Sequence, residues 1–489
     1  MSEHPRHVHV AIIGTGFAGL GVAAELLRTG IDDFVLLERA GSIGGTWRDN
    51  HYPGCACDIP SHLYSFSFAP KPDWSRAYAP WHEIRAYLER FVDDAGLRAK
   101  IELEQTLASA RWDAGTSCWQ LRTRQGLELT ARFLVLAAGG LSNAAFADIP
   151  GRERFAGPQF HSAQWDHDVD LAGKRVAVIG TGASAIQFVP QIQPTVGKLY
   201  LLQRTPPWIL PKPDRAYSGF TKTALRVVPG LRALYRQSIY WRLEARLVAF
   251  TEAPKLMAIA ERTALRHIEA SIADPELRAR VTPKYRPGCK RILLSNDYYP
   301  ALTQPNVELL DDRIEAIVEH GVRFASGREL EVDVLIHGTG FAVHDYLGGV
   351  QVYGEGGVEL GELWSHGAEA YLGTAIAGFP NLFMIVGPNT GLGHNSMIVM
   401  IEGQAHYAVE AIGLARARKL AAIAVKPEVQ RDYNAWVQGK NAAAIWATGC
   451  RSWYLDARGK NTSIFPSFAT AFRRRTAKVR LDDFELTPG

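Results

Sequence analysis

Two glycine-rich segments of the chain lead to side chains of opposite charge at the same distance from the first glycine. The first segment begins at Gly14 and reaches Glu38 24 residues later, and the second begins at Gly180 and reaches Arg204 24 residues later. A carboxylate at this spacing accepts hydrogen bonds from ribose hydroxyls, whereas a guanidinium binds a 2′-phosphate. The two segments therefore predict two different dinucleotide sites, of which the second prefers NADPH to NADH.

Both segments have the pattern of an apolar strand, a tight turn and a helix. The fingerprint positions are Gly14, Gly16 and Gly19 in the first segment and Gly180, Gly182 and Ala185 in the second. Glycines here permit the turn and the close approach of a pyrophosphate, which the free N–H groups of the helix N-terminus bind. Ser184 stands where its hydroxyl reaches a phosphate. The alternatives are a purely structural strand–helix–strand unit and, for Arg204, an arginine solvated at the end of a strand.

The segment at residues 41–70 is rich in glycine, proline and aromatic residues and is too irregular for a long helix or strand. Long ordered loops in compact domains tend to be functional. Trp47, Tyr52 and Tyr64 offer flat surfaces to a ring system. Asp58 lies in the same segment, where an aspartate by default forms a turn or is a solvated charge, and a role in a site is the less favoured alternative.

Lys290 and Arg291 come just ahead of a predicted strand. Adjacent side chains on an extended segment point to opposite faces. One of these cations is therefore placed to bind a phosphate while the other faces a reaction centre.

The elements around these groups predict an α/β fold. The runs FLVLAAGG (133–140) and VDVLIHGTGF (332–341) are apolar and end in small residues, which is typical of buried parallel strands. Three strand-like segments between residues 100 and 140 indicate an antiparallel insertion. Residues 216–279 are helical and basic, and we expect an insertion that forms a wall of the substrate pocket or a surface for another chain. Contact with a membrane surface is a less favoured alternative, because prolines and acidic residues break the helical runs.

Composition limits the function classes. A chain of 489 residues is expected to form two or three domains. Its 54 basic and 50 acidic residues give a net charge of only +4, so no nucleic-acid partner is predicted. There is no secretory signal pattern and no apolar run long enough to span a bilayer. We expect a cytoplasmic protein with no stable membrane insertion, and the oligomeric state is left open.

The five cysteines are too few and too scattered to predict a disulfide framework. Only Cys55 and Cys57 form a close pair, and no second ligand pair at zinc-site spacing accompanies them. They are interpreted as two reduced cysteines in a turn, and no metal site is predicted. Residues 155–166 form a linker between the two units, in which His161 is expected to be a packed, hydrogen-bonded residue rather than a catalyst.

Taken together, these segments resemble the type I Baeyer–Villiger monooxygenases, which are class B flavoprotein monooxygenases within the wider flavin-containing monooxygenase class. The resemblance covers nearly the whole chain. Its most specific part is the fingerprint F-x-G-x-x-x-H-x-x-x-W-[PD], matched by Phe155, Gly157, His161, Trp165 and Asp166. The segments GGTW, YPGCACD, GTGASAIQ, QRT, CKR and SWYLD match further parts of the family pattern, although SWYLDARGKN differs from the commoner forms of its loop.

The resemblance implies two three-layer, Rossmann-like dinucleotide-binding domains with a helical insertion. The first part of the FAD-binding domain would be residues 1–148 and its second part 377–489, with a mobile loop near 450–462. The NADPH-binding domain would be 149–212 and 287–376, with the helical insertion at 213–286.

The resemblance also implies residue roles. FAD would lie on Gly14, Gly16, Phe17, Gly19, Glu38, Thr46, Trp47, Asp58, Tyr64, Leu107 and Met397. NADPH would lie on Gly180, Thr181, Gly182, Ser184, Gln187, Arg204, Thr205 and Lys290, with Trp453 on the mobile loop closing over it. Arg291 would be the catalytic arginine, Asp58 would set its position and charge, and His161 would be a hinge residue.

The implied reaction inserts one oxygen atom of O2 next to a ketone carbonyl, which gives an ester or lactone through a C4a-peroxyflavin at the expense of NADPH. The partners would be a small ketone and O2. An N- or S-oxygenating flavin monooxygenase shares nearly every motif and is the main alternative. A pyridine-nucleotide disulfide reductase, for which Cys55 and Cys57 are poorly spaced, and a non-enzymatic nucleotide-binding protein are further alternatives.

Overall fold

The computed structural model describes residues 6–450 and 452–489. Its strands are β1 (Arg6–Ile13), β2 (Phe34–Leu37), β3 (Ile101–Glu102), β4 (Leu107–Asp113), β5 (Cys118–Thr123), β6 (Glu128–Leu136), β7 (Gln159–His161), β8 (Arg175–Ile179), β9 (Lys198–Leu202), β10 (Ile209–Leu210), β11 (Leu293–Leu294), β12 (Val307–Leu310), β13 (Ile314–Val318), β14 (Gly321–Phe324), β15 (Glu329–Glu331), β16 (Val334–His337), β17 (Gln351–Tyr353), β18 (Leu382–Met384), β19 (Leu420–Val425) and β20 (Phe484–Pro488).

The α-helices of the described residues range from single turns to a helix of 21 residues. They are α1 (Phe17–Arg28), α2 (Thr46–Asp49), α3 (Trp81–Asp94), α4 (Ala185–Ile192), α5 (Gly219–Val227), α6 (Leu231–Glu244), α7 (Leu247–Phe250), α8 (Met257–Ser271), α9 (Pro275–Val281), α10 (Tyr298–Leu302), α11 (Leu360–Leu363), α12 (Met397–Ala417), α13 (Pro427–Ala442) and α14 (Ala469–Arg475). None of the helices in this part of the chain is long and apolar enough to cross a membrane.

The first sheet has the order β17-β4-β5-β6-β1-β2-β3, and β18 also pairs with β6. Strand β1 lies parallel to both β2 and β6, whereas β4, β5 and β6 pair antiparallel. The predicted antiparallel insertion is thereby confirmed. Alternate residues of β1 enter two separate cores, Val10 and Ile12 on one face and Ala11 and Ile13 on the other. Both faces are covered, which explains why β1 is apolar through this stretch.

The second sheet has the order β12-β9-β8-β16-β7, and all its pairings are parallel. Each of the two glycine-rich turns follows a central strand of its own sheet: Gly14 follows β1, and Gly180 follows β8. This is the arrangement in which open α/β sheets bind dinucleotides, at the carboxyl ends of parallel strands. The predicted α/β class with two Rossmann-like units is confirmed.

Helices α5 to α9 lie between β10 and β11 and form the helical insertion. The domain boundaries listed above stay predictions. Strand β17 lies in the range 287–376 predicted for the NADPH-binding domain, but it pairs with β4 of the first sheet. The first five residues of the predicted FAD-binding domain, and Arg451 in the loop near 450–462, lie outside the described residues.

Candidate functional site

The two glycine-rich turns share a backbone geometry that only glycine adopts without strain. Gly14 has φ +106° and Gly180 has φ +107°. A Cβ on Gly14 would lie 2.7 Å from the carbonyl oxygen of Ala137, and one on Gly180 would lie 2.5 Å from that of Gly338. Each turn is therefore pressed against the end of a neighbouring strand, where a side chain has no room.

The helices that follow the turns have N-termini without a side-chain cap. In α1, which begins after Gly16, and in α4, which begins after Ser184, no side chain accepts from the first turn and no acidic residue stands there. The first N–H groups of each helix and the positive end of its dipole are thus available to an anion. Both turns fit the pyrophosphate of a dinucleotide.

Glu38, at the end of β2, is almost fully buried beside the first turn. Its Oε2 accepts hydrogen bonds from the Thr15 N–H and hydroxyl at 3.0 and 2.6 Å, and its Oε1 accepts from Arg48 Nη1 at 2.7 Å and from the Ala40 N–H at 3.0 Å. The carboxylate is therefore fixed in position. It lies against Thr15, between Gly14 and Gly16. The ribose of a dinucleotide bound to this turn would lie beside it.

Arg204 and Lys290 form a pair of like charges beside the second turn. Burial lowers the pKa of Lys290, and the positive charge of Arg204 lowers it further. Within the described part of the chain, neither cation has a carboxylate within 4.0 Å. Thr181 of the turn donates to the Thr205 carbonyl at 3.2 Å, which ties the turn to the Arg204 segment. Two close cations without a counter-charge fit a phosphate.

The predicted aromatic residues gather at the first turn. Trp47 donates its indole N–H to the Tyr64 hydroxyl at 3.2 Å, and Phe17 of α1 meets the Tyr64 ring edge-to-face at 5.4 Å between centroids. Burial raises the pKa of Tyr64 well above its usual value, so the phenol stays neutral. These three residues build one apolar wall next to the turn.

Three other residues predicted to contact FAD each begin an element: Thr46 begins α2, Leu107 begins β4 and Met397 begins α12. Thr46 and Met397 are half-buried. The Leu107 side chain is packed in the core of the first sheet. The helix that Met397 begins is capped by the Ser396 hydroxyl, which accepts from the Ile398 N–H.

Arg291 and Asp58, 233 residues apart in sequence, form an ion pair. Arg291 donates to Asp58 Oδ2 from Nε at 3.0 Å and from Nη2 at 2.5 Å. The Asp58 charge raises the pKa of Arg291 further above its already high value, so the guanidinium is a permanent cation. The Arg291 side chain is 27% exposed and that of Asp58 33%. Because both donors go to one carboxylate oxygen, the remaining N–H groups of Arg291 are left for a third group.

Two residues near this pair were missed by the sequence analysis. Burial raises the pKa of Tyr454 to about 12, with the neighbouring Arg291 opposing and Asp58 adding to the effect. Burial lowers the pKa of Lys212, and Asp214, Cys57 and Asp58 oppose it. Tyr454 directly follows Trp453 in the SWYLD segment, which is the one signal that pointed to it. Lys212 lies in a proline-rich turn and gave no signal.

Gln187 was predicted to contact NADPH, but its side chain is engaged with the Asp58 loop. Its Oε1 accepts from the Tyr52 hydroxyl at 2.9 Å and from the Ala56 N–H at 3.3 Å, and its Nε2 donates to the Ala56 carbonyl at 3.0 Å. A Cβ on Gly54 would lie 2.7 Å from the Gln187 carbonyl oxygen, so the loop packs directly on α4. Gln187 thus joins the second dinucleotide unit to the loop that carries Asp58.

The fingerprint residues hold the edge of the second sheet. A Cβ on Gly157 would lie 2.5 Å from the Asp333 carbonyl oxygen and 2.8 Å from the Phe155 ring. Trp165 is buried against Phe188 of α4, with ring centroids 5.1 Å apart. Asp166 is exposed and its Oδ1 accepts from the Asp168 N–H.

His161, at the end of β7, is fully buried, and its Nδ1 accepts from the Ala163 N–H at 3.0 Å. Burial lowers the pKa of His161, so the ring is neutral. These contacts agree with a packed structural residue rather than an acid or base.

Trp453 lies on the loop after α13, with its side chain exposed and its ring edge-to-face on Tyr454. The same loop is joined to the segment that carries Lys290 and Arg291 by a disulfide between Cys289 and Cys450. The sequence analysis did not predict this bond. The two cysteines are 161 residues apart, and nothing in their local patterns marks them as partners.

Comparisons with known proteins agree with this geometry. Residues 11–228 match a family described as pyridine nucleotide-disulphide oxidoreductase. A protein named Baeyer-Villiger monooxygenase from Pseudomonas aeruginosa is 50% identical over 484 residues, which cover 99% of this chain and 92% of that protein. The chain belongs to the Baeyer–Villiger monooxygenase family.

Solved structures of similar proteins match nearly the whole length of this Baeyer–Villiger monooxygenase. An oxidized steroid monooxygenase bound to NADP is 31% identical with a TM-score of 0.87, and it is matched over 99% of this chain and 100% of its own. A protein named OTEMO, in complex with FAD and NADP, is 25% identical with a TM-score of 0.89 over the same shares. The likeness therefore extends through both dinucleotide units and the helical insertion.

The cysteines of the Asp58 loop do not suit a disulfide reductase. In this Baeyer–Villiger monooxygenase Cys55 and Cys57 are free and buried. Burial raises the pKa of Cys55 to about 12, and it raises that of Cys57 well above its usual value. Thiols held protonated are poor nucleophiles for disulfide exchange. The reading of two reduced cysteines in a turn is confirmed.

Proposed function

We propose that the Arg291–Asp58 pair is the centre at which this Baeyer–Villiger monooxygenase converts a small ketone to an ester or lactone with O2 and NADPH. The observation that carries the proposal is the pairing itself. A permanent cation is held by a carboxylate 233 residues away in the sequence, with guanidinium N–H groups left over and part of its surface open to a ligand.

The residues around the two turns fit the two cofactors. FAD would be held by the first turn with Glu38 and by the Phe17–Trp47–Tyr64 wall, and NADPH by the second turn with Arg204 and Lys290. When bound, FAD supplies the ring that activates oxygen and NADPH supplies the reducing equivalents. The turns lie at the same ends of their parallel strands, which is where such cofactors bind in open α/β sheets.

Arg291 would act on charge that develops during oxygen insertion. Addition of a nucleophilic oxygen to the ketone places negative charge on the carbonyl oxygen, and a fixed guanidinium stabilises that charge without reorganising. A single preorganised contact of this kind contributes about 2.7 to 4 kcal/mol, or about 10²- to 10³-fold in rate.

Asp58 is a positioning residue. By accepting hydrogen bonds from both Nε and Nη2 it fixes the plane of the guanidinium. Its negative charge offsets the desolvation cost of the Arg291 cation in a partly buried site. Its place is fixed in turn by the packing of its loop on α4 through Gln187. Tyr454 and the aromatic wall would exclude water, which matters because water-exposed oxygen chemistry is diverted to hydrogen peroxide.

Product identity tests the proposed function. Purified enzyme is supplied with NADPH, ¹⁸O2 and a panel of linear, cyclic and aryl ketones, and the products are analysed by mass. We expect an ester or lactone carrying one ¹⁸O. Sulfoxides or N-oxides from a parallel heteroatom panel, with no ester from any ketone, would instead support the N- or S-oxygenating reaction.

Three further expectations stay predictions. They are the domain boundaries, the closing of Trp453 over NADPH, and the cytoplasmic location. The resemblance implies the assignment of FAD to residues 1–148 and 377–489, and the packing of α12 against α1 supports it.

A further inference from the structure

The hairpin of α5 and α6 in the helical insertion has an unusual charge balance. Residues 215–243 contain six cations and no acidic residue, in a chain whose basic and acidic residues otherwise nearly balance. The six are Arg215, Lys222, Arg226, Arg232, Arg236 and Arg242. Within residues 6–450 and 452–489, none of them has a carboxylate within 4.0 Å.

The same hairpin exposes large apolar side chains. Phe220 is 85% exposed, Leu234 67% and Trp241 57%. With Val227, Val228 and Leu231, they make up six of the sixteen large exposed hydrophobic residues found among the described residues, all within 22 positions. Scattered exposed hydrophobics are normal on a soluble surface, whereas a cluster marks an interaction site.

The helical spacing puts these groups on one outward face. On α6, Leu231, Leu234 and Trp241 share the face opposite Ile239, Tyr240 and Leu243, which are buried. On α5, Phe220, Thr223 and Val227 are exposed and Leu225 is buried. Exposed Arg226 and Arg242 flank the apolar stripes. We call this outward face, with its six apolar residues and the exposed cations Arg226 and Arg242, the basic hairpin face.

The inner side of the hairpin is firmly docked. Arg236 donates to the His62 carbonyl at 2.8 Å, and the Tyr217 and Tyr235 rings lie edge-to-face on the His62 ring. The hairpin is therefore fixed to the body of the protein by its inner side. Its outward apolar residues are exposed to solvent in this packed position.

We propose that the basic hairpin face docks on the surface of an anionic lipid bilayer. Cations around an apolar stripe with an exposed Trp and Phe are the composition of helices that lie in a membrane interface. A second copy of the same face is disfavoured, because a two-fold contact would bring exposed cations such as Arg226 and Arg242 against their own copies, with no acidic residue on the face to pair them. The docking is peripheral and does not depend on the reaction proposed above.

Vesicle co-sedimentation of the full-length holoenzyme tests the docking. The vesicles are phosphatidylcholine alone or phosphatidylcholine mixed with phosphatidylglycerol. We expect binding to be about tenfold or more tighter to the anionic vesicles, and to weaken as salt screens the charges. Equal binding to both vesicles, or binding to neither, overturns the proposal.

Two pairs of variants separate the charge from the apolar contribution. R226E/R242E and F220S/W241S should each lose most of the binding to anionic vesicles. The matched controls R154E and V358S, at exposed positions elsewhere on the surface, should keep it. Because all four variants change exposed side chains, folding and ketone oxidation should be unaffected.

Light scattering and a soluble polyanion distinguish the other occupants. If F220S/W241S converts an oligomer to a smaller species, the face is a contact between copies of this chain and the proposal is wrong. It is equally wrong if the protein binds polyglutamate through this face but not anionic vesicles, since the partner is then an acidic protein.

Discussion

Removal of the Arg204 guanidinium should change the choice between NADPH and NADH. Arg204 and Lys290 lie close enough that the charge of one lowers the pKa of the other, and neither has a carboxylate partner in the described structure. A bound 2′-phosphate would supply the missing counter-charge. Each charge-assisted contact contributes about 1.5 to 3 kcal/mol, so Arg204→Ala should weaken NADPH about 10- to 150-fold. NADH lacks the phosphate and should be unaffected.

Initial rates with each nucleotide, together with the dissociation constant of NADP⁺, measure this effect. The matched control is Lys198→Ala, at the opposite end of β9 from Arg204, which should leave both nucleotides unchanged. A second readout is pH. Since Arg204 depresses the pKa of Lys290, the alkaline loss of NADPH affinity that follows Lys290 deprotonation should move to higher pH in Arg204→Ala. An equal loss of affinity for NADPH and NADH would refute the reasoning.

Three further predictions concern the loop, the fingerprint and acid stability. Gln187→Leu removes three hydrogen bonds to the Asp58 loop. A larger share of the NADPH consumed should therefore yield hydrogen peroxide, while the KM for NADPH stays unchanged. A raised KM would instead show that Gln187 contacts the nucleotide. Gly157→Ala should destabilise the fold by about 1 to 3 kcal/mol in thermal unfolding, because its Cβ would meet backbone, whereas Gly439→Ala, with nothing within 4 Å, should not. Burial lowers the pKa of His62 and His337 from 6.5 to about 4. Between these two pH values the histidines are protonated in the unfolded state but neutral in the folded state. The free energy of unfolding should therefore fall as pH drops from about 6.5 to 4, by up to about 3 kcal/mol per histidine, and His337→Gln should flatten that fall in denaturant titrations.

Local features of the sequence predicted the parts of the fold that depend on neighbouring residues. The strands before Gly14 and Gly180 are apolar because both faces of their sheets are covered, and the turns need glycine because a Cβ there would strike a strand end. Both signals lie within a few residues of the feature they predict. The two dinucleotide units were therefore visible in the sequence.

Contacts between distant segments were not visible in the same way. The residues alone favoured a turn or a solvated charge for Asp58 over a role in a site, and only the resemblance linked it to Arg291, 233 residues away. The bond between Cys289 and Cys450 and the reach of Gln187 to the Asp58 loop depend on how the insertion and the two sheets pack. No periodicity or spacing encodes that packing.

The sequence predicted the exposed face of the insertion only in part. The helical and basic character of residues 216–279 was evident, and so was the expectation of a pocket wall or a surface. Which side chains point outward depends on how α6 docks on the His62 loop. Only the structure separates Leu234 and Trp241 from the buried Ile239 and Leu243.

The role of Arg291 is tested most directly by a single turnover with Arg291→Ala. The enzyme is reduced with NADPH under anaerobic conditions and then mixed with ¹⁸O2 and a ketone that the parent enzyme accepts, and ester and hydrogen peroxide are both counted. Arg154→Ala, at an exposed position outside the site, is the control. We expect Arg291→Ala to be reduced normally but to form ester at least about 10²-fold more slowly, with hydrogen peroxide in its place. Formation of ¹⁸O-labelled ester at the parental rate would contradict this expectation.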